Sequence, residues 1–351
     1  MRLLILTQKI DCNDDVLGFM HGWIAEFAKH CDLVTAIGLS VGAHDLPENV
    51  RVFSLGKEAG ASRLSYVWNF YRLIFRERKN YDAVFVHMNP EYVLLGGILW
   101  KMMGKKIGLW YMHKSVDLKL RLATHGADII FTASLESFRI QTPKCHVVGH
   151  GIATERFKGI KRIPDGVFRI CSIGRLSKTK DYGTLLGALD LLKKEGILIE
   201  VQIIGGPVTA EDRDYVDELK TEISRRELAN TVVLVGAVPN SAIEPYLAKA
   251  DLFVNMSQTG SLDKAVLEAM VAGVPVLTSN EGLRTTLVGF ERTCLFKEGD
   301  KEDFAEHIRA LMHLSKDDRE SLGDRLRKVV EKSHNTQILI PRIVETLTSS
   351  L

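Results

Sequence analysis

Two short stretches of the chain combine residue types that suit chemistry on a phosphorylated ligand. The first is Gly174-Arg175-Leu176-Ser177-Lys178-Thr179-Lys180-Asp181. It follows the apolar run that starts at Phe168 and precedes a helical pattern, so Gly174 ends a strand and the cations stand on the loop into a helix. Arg175 offers a two-pronged grip on phosphate oxygens, and Lys180 adds a mobile point charge. The second stretch is DLFVNMSQTGSLDKAVLEAMVAGVPVLT, residues 251–278. Leu252, Phe253 and Val254 read as a buried parallel strand, and Ser257-Gln258-Thr259-Gly260-Ser261 as a turn. Ala265, Val266, Ala269, Met270 and Ala272 then recur at helical spacing until Gly273 stops the helix. Such a helix start offers unpaired N–H groups and a positive dipole end to an anion. Glu268, a turn further in, is placed to face a ligand or solvent. Taken singly, each stretch also fits an ordinary surface loop or a capped helix with a solvated carboxylate. Taken together, they lie at the carboxyl ends of two strands of one sheet, where open α/β sheets bind ligands.

The elements that must position these residues alternate along the whole chain, the mark of a parallel α/β sheet. Strands are expected near 2–6, 33–37, 51–55, 82–87, 106–112, 128–132 and 145–148. Helices are expected near 17–30, 61–78, 91–104, 116–126 and 135–140. A charged segment, 158–166, interrupts the pattern and reads as a linker. The alternation restarts with strands near 168–173, 199–204, 231–235, 251–255, 275–278 and 293–296. Between them fall helices near 181–195, 211–228, 240–249 and 264–272. From Lys301 the chain is helical to its end. This gives domains at 1–157 and 167–334, with a helix over 335–351 returning to the first.

Length and composition agree with two ordinary domains. The 351 residues are 46% hydrophobic and 26% charged, typical of a globular protein. Charge is uneven: residues 1–165 hold 22 Lys+Arg against 16 Asp+Glu, the remainder 24 against 28. No arginine-rich run or zinc-finger spacing points to nucleic acid. The five cysteines are scattered without a CxxC pair, as in a reduced cytoplasmic protein. The apolar run Leu3–Leu6 is too short for a signal peptide, and no stretch approaches a membrane span. Cytoplasmic localisation is expected. Arg63 to Arg121 holds 11 basic and 4 acidic residues, among them Arg72, Arg76, Lys101 and Lys105, interleaved with Trp68, Phe75 and Met102. Core-facing helices with solvated basic backs have this composition, and so does a surface that meets an anionic inner leaflet.

In the second half the motifs G-R-L-x-x-x-K-D at Gly174–Asp181 and L-E-A-M-x-A-G-x-P-V at Leu267–Val276 resemble those of the GT-B glycosyltransferases of family 4, retaining enzymes that use sugar nucleotides. The loop Gly149-His150-Gly151-Ile152 with Phe157, and Lys297-Glu298-Gly299-Asp300 with Phe304-Ala305, are similar to further segments of that family. The resemblance covers most of residues 145–350 and the first half more loosely. It implies two Rossmann-like parallel-sheet domains facing a cleft, with a C-terminal helix crossing back. Arg175 and Lys180 then match the pair that neutralises the nucleotide diphosphate, and Glu268 the glutamate that bonds the ribose. The family's first glutamate, which touches the donor sugar, falls at Gly260. Asp263, Thr259 or backbone N–H groups of Gly260–Leu262, Ser261 included, are the candidates to replace it. His113 resembles the histidine of the catalytic site, and Gly18 the position where backbone nears the phosphates.

Asp14, Asp15, His87 and Asn89 are weaker candidates for contact with an acceptor. No metal and no cofactor are expected, since the cationic side chains supply the charge that Mg²⁺ gives elsewhere. The expected activity is transfer of a hexose-type sugar from a UDP- or GDP-sugar to a hydroxyl of a glycan or lipid-linked acceptor, with inner-leaflet association. The alternatives are a non-catalytic sugar-nucleotide-binding GT-B protein and a dinucleotide-dependent oxidoreductase. The latter is disfavoured because no G-x-G-x-x-G follows the first strand.

Overall fold

A computed structural model of the chain describes residues 1–14, 16–160, 166–258, 260 and 262–349. The chain forms two compact units: Met1–Ala153 with Pro239–Ser241 and Ser333–Leu351, and Thr154–Val238 with Ala242–Lys332.

The first unit is built on a seven-stranded, fully parallel sheet ordered β3-β2-β1-β4-β5-β6-β7. The strands are β1 (Arg2–Ile10), β2 (Leu33–Val41), β3 (Val50–Ser54), β4 (Ala83–His87), β5 (Lys106–Trp110), β6 (Ile129–Thr132) and β7 (Cys145–Val147). Helices α1 (Phe19–His30), α2 (Arg63–Arg76), α3 (Pro90–Met102) and α4 (Leu118–Gly126) connect them. The central strands are apolar throughout because helices cover both faces; β4 is buried at all five positions. A last helix, α12 (Thr336–Thr348), packs against α1. Its Leu339, Ile340, Ile343 and Leu347 are buried, which explains why its apolar residues are too dense for one narrow stripe.

The second unit repeats the plan on five parallel strands ordered β10-β9-β8-β11-β12. These are β8 (Phe168–Ile173), β9 (Ile199–Ile204), β10 (Val232–Gly236), β11 (Leu252–Asn255) and β12 (Val276–Thr278). The helices are α5 (Tyr182–Lys194), α6 (Ala210–Arg225), α7 (Glu244–Lys249), α8 (Lys264–Val271), α9 (Glu291–Cys294), α10 (Lys301–His313) and α11 (Lys316–Ser333). In both sheets the strand order reverses beside the first strand, between β1 and β4 and between β8 and β11. Crevices for ligands open at such reversals, outside the carboxyl ends of the strands.

Three expected elements differ. Residues 135–140 form a turn closed by the Ser134 and Ser137 hydroxyls, 2.9 Å apart, instead of a helix; serine side chains compete with helical bonds in this way. The expected helix at 240–249 splits into a 3-10 turn, Asn240–Ala242, and α7, whose Pro245 has no N–H to continue an earlier helix. The expected strand at 293–296 is the end of α9, with one bridge from Leu295 to Thr278. A short apolar run does not distinguish these outcomes.

Candidate active site

In the second unit, the sheet brings the two chemically suggestive stretches together. β8 and β11 are neighbours, so the loop after Ile173 and the loop after Asn255 emerge side by side. The Gln258 N–H donates to the Thr179 carbonyl at 3.0 Å and ties the two loops. Lys178–Lys180 winds into one 3-10 turn, and Asp181 caps α5, accepting from the Thr184 hydroxyl at 2.7 Å.

Lys180 is held at the centre of this arrangement. Its stem crosses over Gly174, and its ammonium donates to Asp263 Oδ2. Asn255 Nδ2 donates to the same oxygen at 3.0 Å, and the Thr278 hydroxyl donates to Asn255 Oδ1 at 3.1 Å. A polar chain thus runs from β12 through β11 and the start of α8 to the lysine. Burial alone would raise the Asp263 pKa; the Lys180 ammonium, the Asn255 amide and the Ala265 N–H overcome it and hold the carboxyl below its usual range. Asp263 is therefore ionised, and Lys180 keeps a fixed direction with part of its surface open: 16% of the side chain is exposed. Arg175 is more open, 45% exposed, with Nε 3.7 Å from Asp212 Oδ2. Burial pushes Asp212 up, but the Thr209 and Val208 N–H groups and then Arg175 bring it below normal. Asp212 is the third residue of a capping box at the start of α6. Both cations thus lean on carboxylates that helix starts hold in place.

Glu268 is 3% exposed and pairs with Lys264 Nζ at 2.5 Å, one turn earlier on α8. The start of α8 is less open to an anion than its sequence suggested, because the Asp263 carboxylate accepts from the Ala265 N–H and its backbone carbonyl from the Val266 N–H. The Leu262 side chain is buried, 1% exposed, and is not presented to a ligand. Asp263 faces Lys180, Asn255 and its own helix, which makes it the counter-ion of Lys180. Gly260 has φ +60°, a left-handed conformation that disfavours any side chain there. Thr259 and Ser261 lie outside the described residues.

Four contributors escaped the sequence reading. Asn255 ends an otherwise apolar strand, and Thr278 ends the neighbouring one; a polar residue closing a buried strand was the available signal. Lys264 stands four residues before Glu268. Gly205, after β9, lets the Gly174 loop approach: a β-carbon at Gly205 would lie 1.9 Å from the Gly174 carbonyl oxygen.

The first unit holds the other candidates. His113 lies beyond the end of β5 and is exposed. The Ser115 N–H donates to its Nδ1 at 3.1 Å, so that nitrogen is the acceptor and the ring is neutral with its proton on Nε2. Partial desolvation and the Lys114 ammonium lower its pKa. Gly18 caps α1, its N–H donating to the Asp14 carbonyl at 3.1 Å. Asp14 accepts from Lys9 Nζ at 2.6 Å and from the Leu17 N–H at 2.6 Å, so it shapes its own loop. Asp15 lies outside the described residues. Asn89 is half-buried at the start of α3, without a side-chain cap bond; the preceding Met88 has φ +63°.

His87 is a correction. It is 3% exposed and packs edge-on against Phe19 and Trp23 at 5.8 and 6.0 Å. Burial pushes its pKa down to about 3. It belongs to an aromatic plug over the strand ends, because α1 lays two rings across them, and it is not presented to an acceptor. Among the described residues, no group of three or more His, Cys, Asp or Glu is placed to hold a metal ion.

A paired sheet plan of this kind, with cations at the second switch point, defines the GT-B class. Over 99% of this chain and 100% of the other, the structure matches Anabaena Alr3699/HepE, solved in complex with UDP, with a TM-score of 0.80 at 19% identity. That likeness shows the fold. A model of the glycosyl transferases group 1 family matches residues 153–329, and the chain belongs to that family. It is 31% identical over 216 residues to the amylovoran biosynthesis glycosyltransferase AmsK of Erwinia amylovora, covering 58% of this chain and 50% of that protein. It is 27% identical over 186 residues to Escherichia coli WcaL, named for colanic acid biosynthesis, covering 51% of this chain and 44% of WcaL. The chain thus spans about half the length of these curated relatives.

Proposed function

We propose that the protein is a retaining glycosyltransferase. It moves a hexose-type sugar from a UDP- or GDP-sugar to a hydroxyl of a glycan or lipid-linked intermediate of cell-surface polysaccharide synthesis. The observation that carries this reading is the Thr278–Asn255–Asp263–Lys180 chain, with Arg175 beside it at the β8/β11 reversal. As the sugar departs, negative charge grows on the diphosphate. Donors fixed beforehand stabilise that charge without reorganising when it forms. Arg175 is open enough to fork onto phosphate oxygens, and Lys180 is aimed by its carboxylate. With two cations so placed, no metal is required for departure of the leaving group. Glu268, steadied by Lys264, is assigned to the ribose, and His113 to the neighbourhood of the transferred sugar. The names of AmsK and WcaL support a polysaccharide acceptor. A lipid-linked acceptor would hold the reaction at the inner leaflet.

The absence of a glutamate at Gly260 favours a second reading, a protein that binds a sugar nucleotide without turning it over. Incubating the protein with a panel of UDP- and GDP-sugars and a polyprenyl-diphosphate-linked glycan separates the two. The expected result is acceptor-dependent release of one nucleotide, lost in Arg175→Ala, with the α-configuration of the donor kept in the product. Binding without release would support the second reading. No binding of any donor would overturn both.

A further inference from the structure

In the first unit, α2, α3 and α4 lie side by side. Phe70 of α2 stacks on Tyr92 of α3 at 5.7 Å and meets Trp100 edge-on at 5.8 Å. The Tyr71 hydroxyl donates to the Leu95 carbonyl at 2.9 Å, and Lys119 of α4 pairs with Glu91 of α3 at 3.0 Å. Their inner faces share one core, including Leu73, Ile74, Val93 and Leu120. The outer face of a helix that covers a sheet is ordinarily polar. Here it is not. Leu64 is 83% exposed, Trp68 71%, Ile98 78% and Met102 80%, with Phe75 and Leu122 more than half exposed. Leu64 and Trp68, and Ile98 and Met102, are spaced four apart, so each pair forms a stripe along its helix. Large apolar residues gathered on one face mark an interaction surface.

The charges around the patch decide what covers it. Arg63, Arg72, Lys101 and Arg121 are exposed on the same three helices, while Arg76 is taken up by Glu77 and the Phe53 ring. The acids of this region are each matched: Glu77 is buried against Arg76, the exposed Glu91 is offset by Lys119, and Asp117 caps α4. A second copy docked face to face would set these cations against their own kind. An anionic bilayer complements both halves of the pattern, with apolar side chains entering the acyl boundary while Lys and Arg meet the headgroups. Among the described residues, no helix is long and apolar enough to cross a membrane.

We propose that the outer face of α2, α3 and α4 is a docking surface for an anionic lipid bilayer, with Trp68, Ile98 and Met102 inserted at the acyl boundary. The proposal concerns a face remote in sequence from Arg175, Lys180 and Glu268 and stands whether or not transfer is observed. The full chain is tested against vesicles of phosphatidylcholine alone and of phosphatidylcholine with phosphatidylglycerol. Trp23, Trp100 and Trp110 are buried, so a change in tryptophan emission reports Trp68. The expected result is co-sedimentation with anionic vesicles, a blue shift, and quenching by brominated acyl chains. Trp68→Phe should bind but lose the optical signal. Ile98→Ser with Met102→Ser should weaken partitioning at least tenfold, with an unchanged melting curve. Arg72→Gln or Lys101→Gln should each cost about fivefold on anionic vesicles only. The proposal is overturned if the wild type ignores both vesicle types, if the serine variant binds as well as wild type, or if Trp68 is unquenched. A wild-type dimer in sedimentation velocity that the serine variant dissolves would assign the face to a second copy instead.

Discussion

The two sheets reverse strand order at equivalent places, yet the carboxyl ends beside those reversals are finished in opposite ways. In the second unit the end of β8/β11 carries paired charges: Lys180 on Asp263, Arg175 on Asp212, and Lys264 on Glu268. In the first unit the end of β1/β4 is closed by Phe19, Trp23, His87 and Trp110, with Trp23 and Trp110 rings 4.9 Å apart. Charges there stay on the rim, as in Lys9 with Asp14. The fold supplies a strand-order reversal twice, and the side chains finish one end with paired charges and the other with packed rings. Function sits in the loops, not in the plan of the sheet.

The comparison can be broken most forcefully at Lys180. Lys180→Ala should lower the transfer rate by about 100- to 1000-fold, the usual cost of one preorganised donor to developing charge. Initial rates at saturating donor test this, and a loss of less than about threefold would mean that the charged end is not the reacting one. Gly205→Ala attacks the backbone beneath the same site. Its β-carbon would meet the Gly174 carbonyl oxygen at 1.9 Å, and since neither group is a flexible tip, about 3 kcal/mol of stability should be lost in urea denaturation. Wild-type stability would show that the loop relaxes freely.

The plugged end responds to pH. Burial lowers His87 to about 3, and lowers to about 4 the ring of His334, whose Nδ1 accepts from the N–H of His150 beside the same aromatic rings, against 6.5 when unfolded. Below pH 6.5 the unfolded chain takes up protons that the folded one refuses. The stability held by these neutral rings is therefore complete above pH 6.5 and falls as pH drops toward 4. Between pH 7 and pH 5 each ring should account for about 2 kcal/mol. Urea midpoints across that range should fall steeply, and less so in His87→Gln; equal slopes would place the sensitivity elsewhere. The smallest effect is expected at Gly260, where Ala should cost about 1 kcal/mol because φ is +60°.

Much of this architecture was legible beforehand, because apolar runs of strand length alternate with helical spacing and parallel strands bury both faces. Arg175 and Lys180 were legible too, as cations between a strand and a helix. What joins them was not. Lys180 and Asp263 stand 83 positions apart, and only the pairing of β8 with β11 makes them neighbours. Asp263 consequently read as a substitute ligand for the sugar, when its carboxylate faces the lysine. His87 was placed correctly at a strand end, but whether that end is open depends on α1, whose rings cover it. The turn at 135–140 shows the same limit at short range, since a serine pair outweighs a weak helical pattern.

The central claim is that Arg175 and Lys180 are arranged to receive a nucleoside diphosphate. Isothermal titration of the protein with UDP and with GDP, repeated on Lys180→Ala and on the Lys180→Ala/Arg175→Ala pair, tests it without requiring the acceptor. One nucleotide should bind the wild type, at least tenfold more weakly the single variant, and not measurably the double. Undiminished binding by the double variant, whose fold is intact by circular dichroism, would contradict the account.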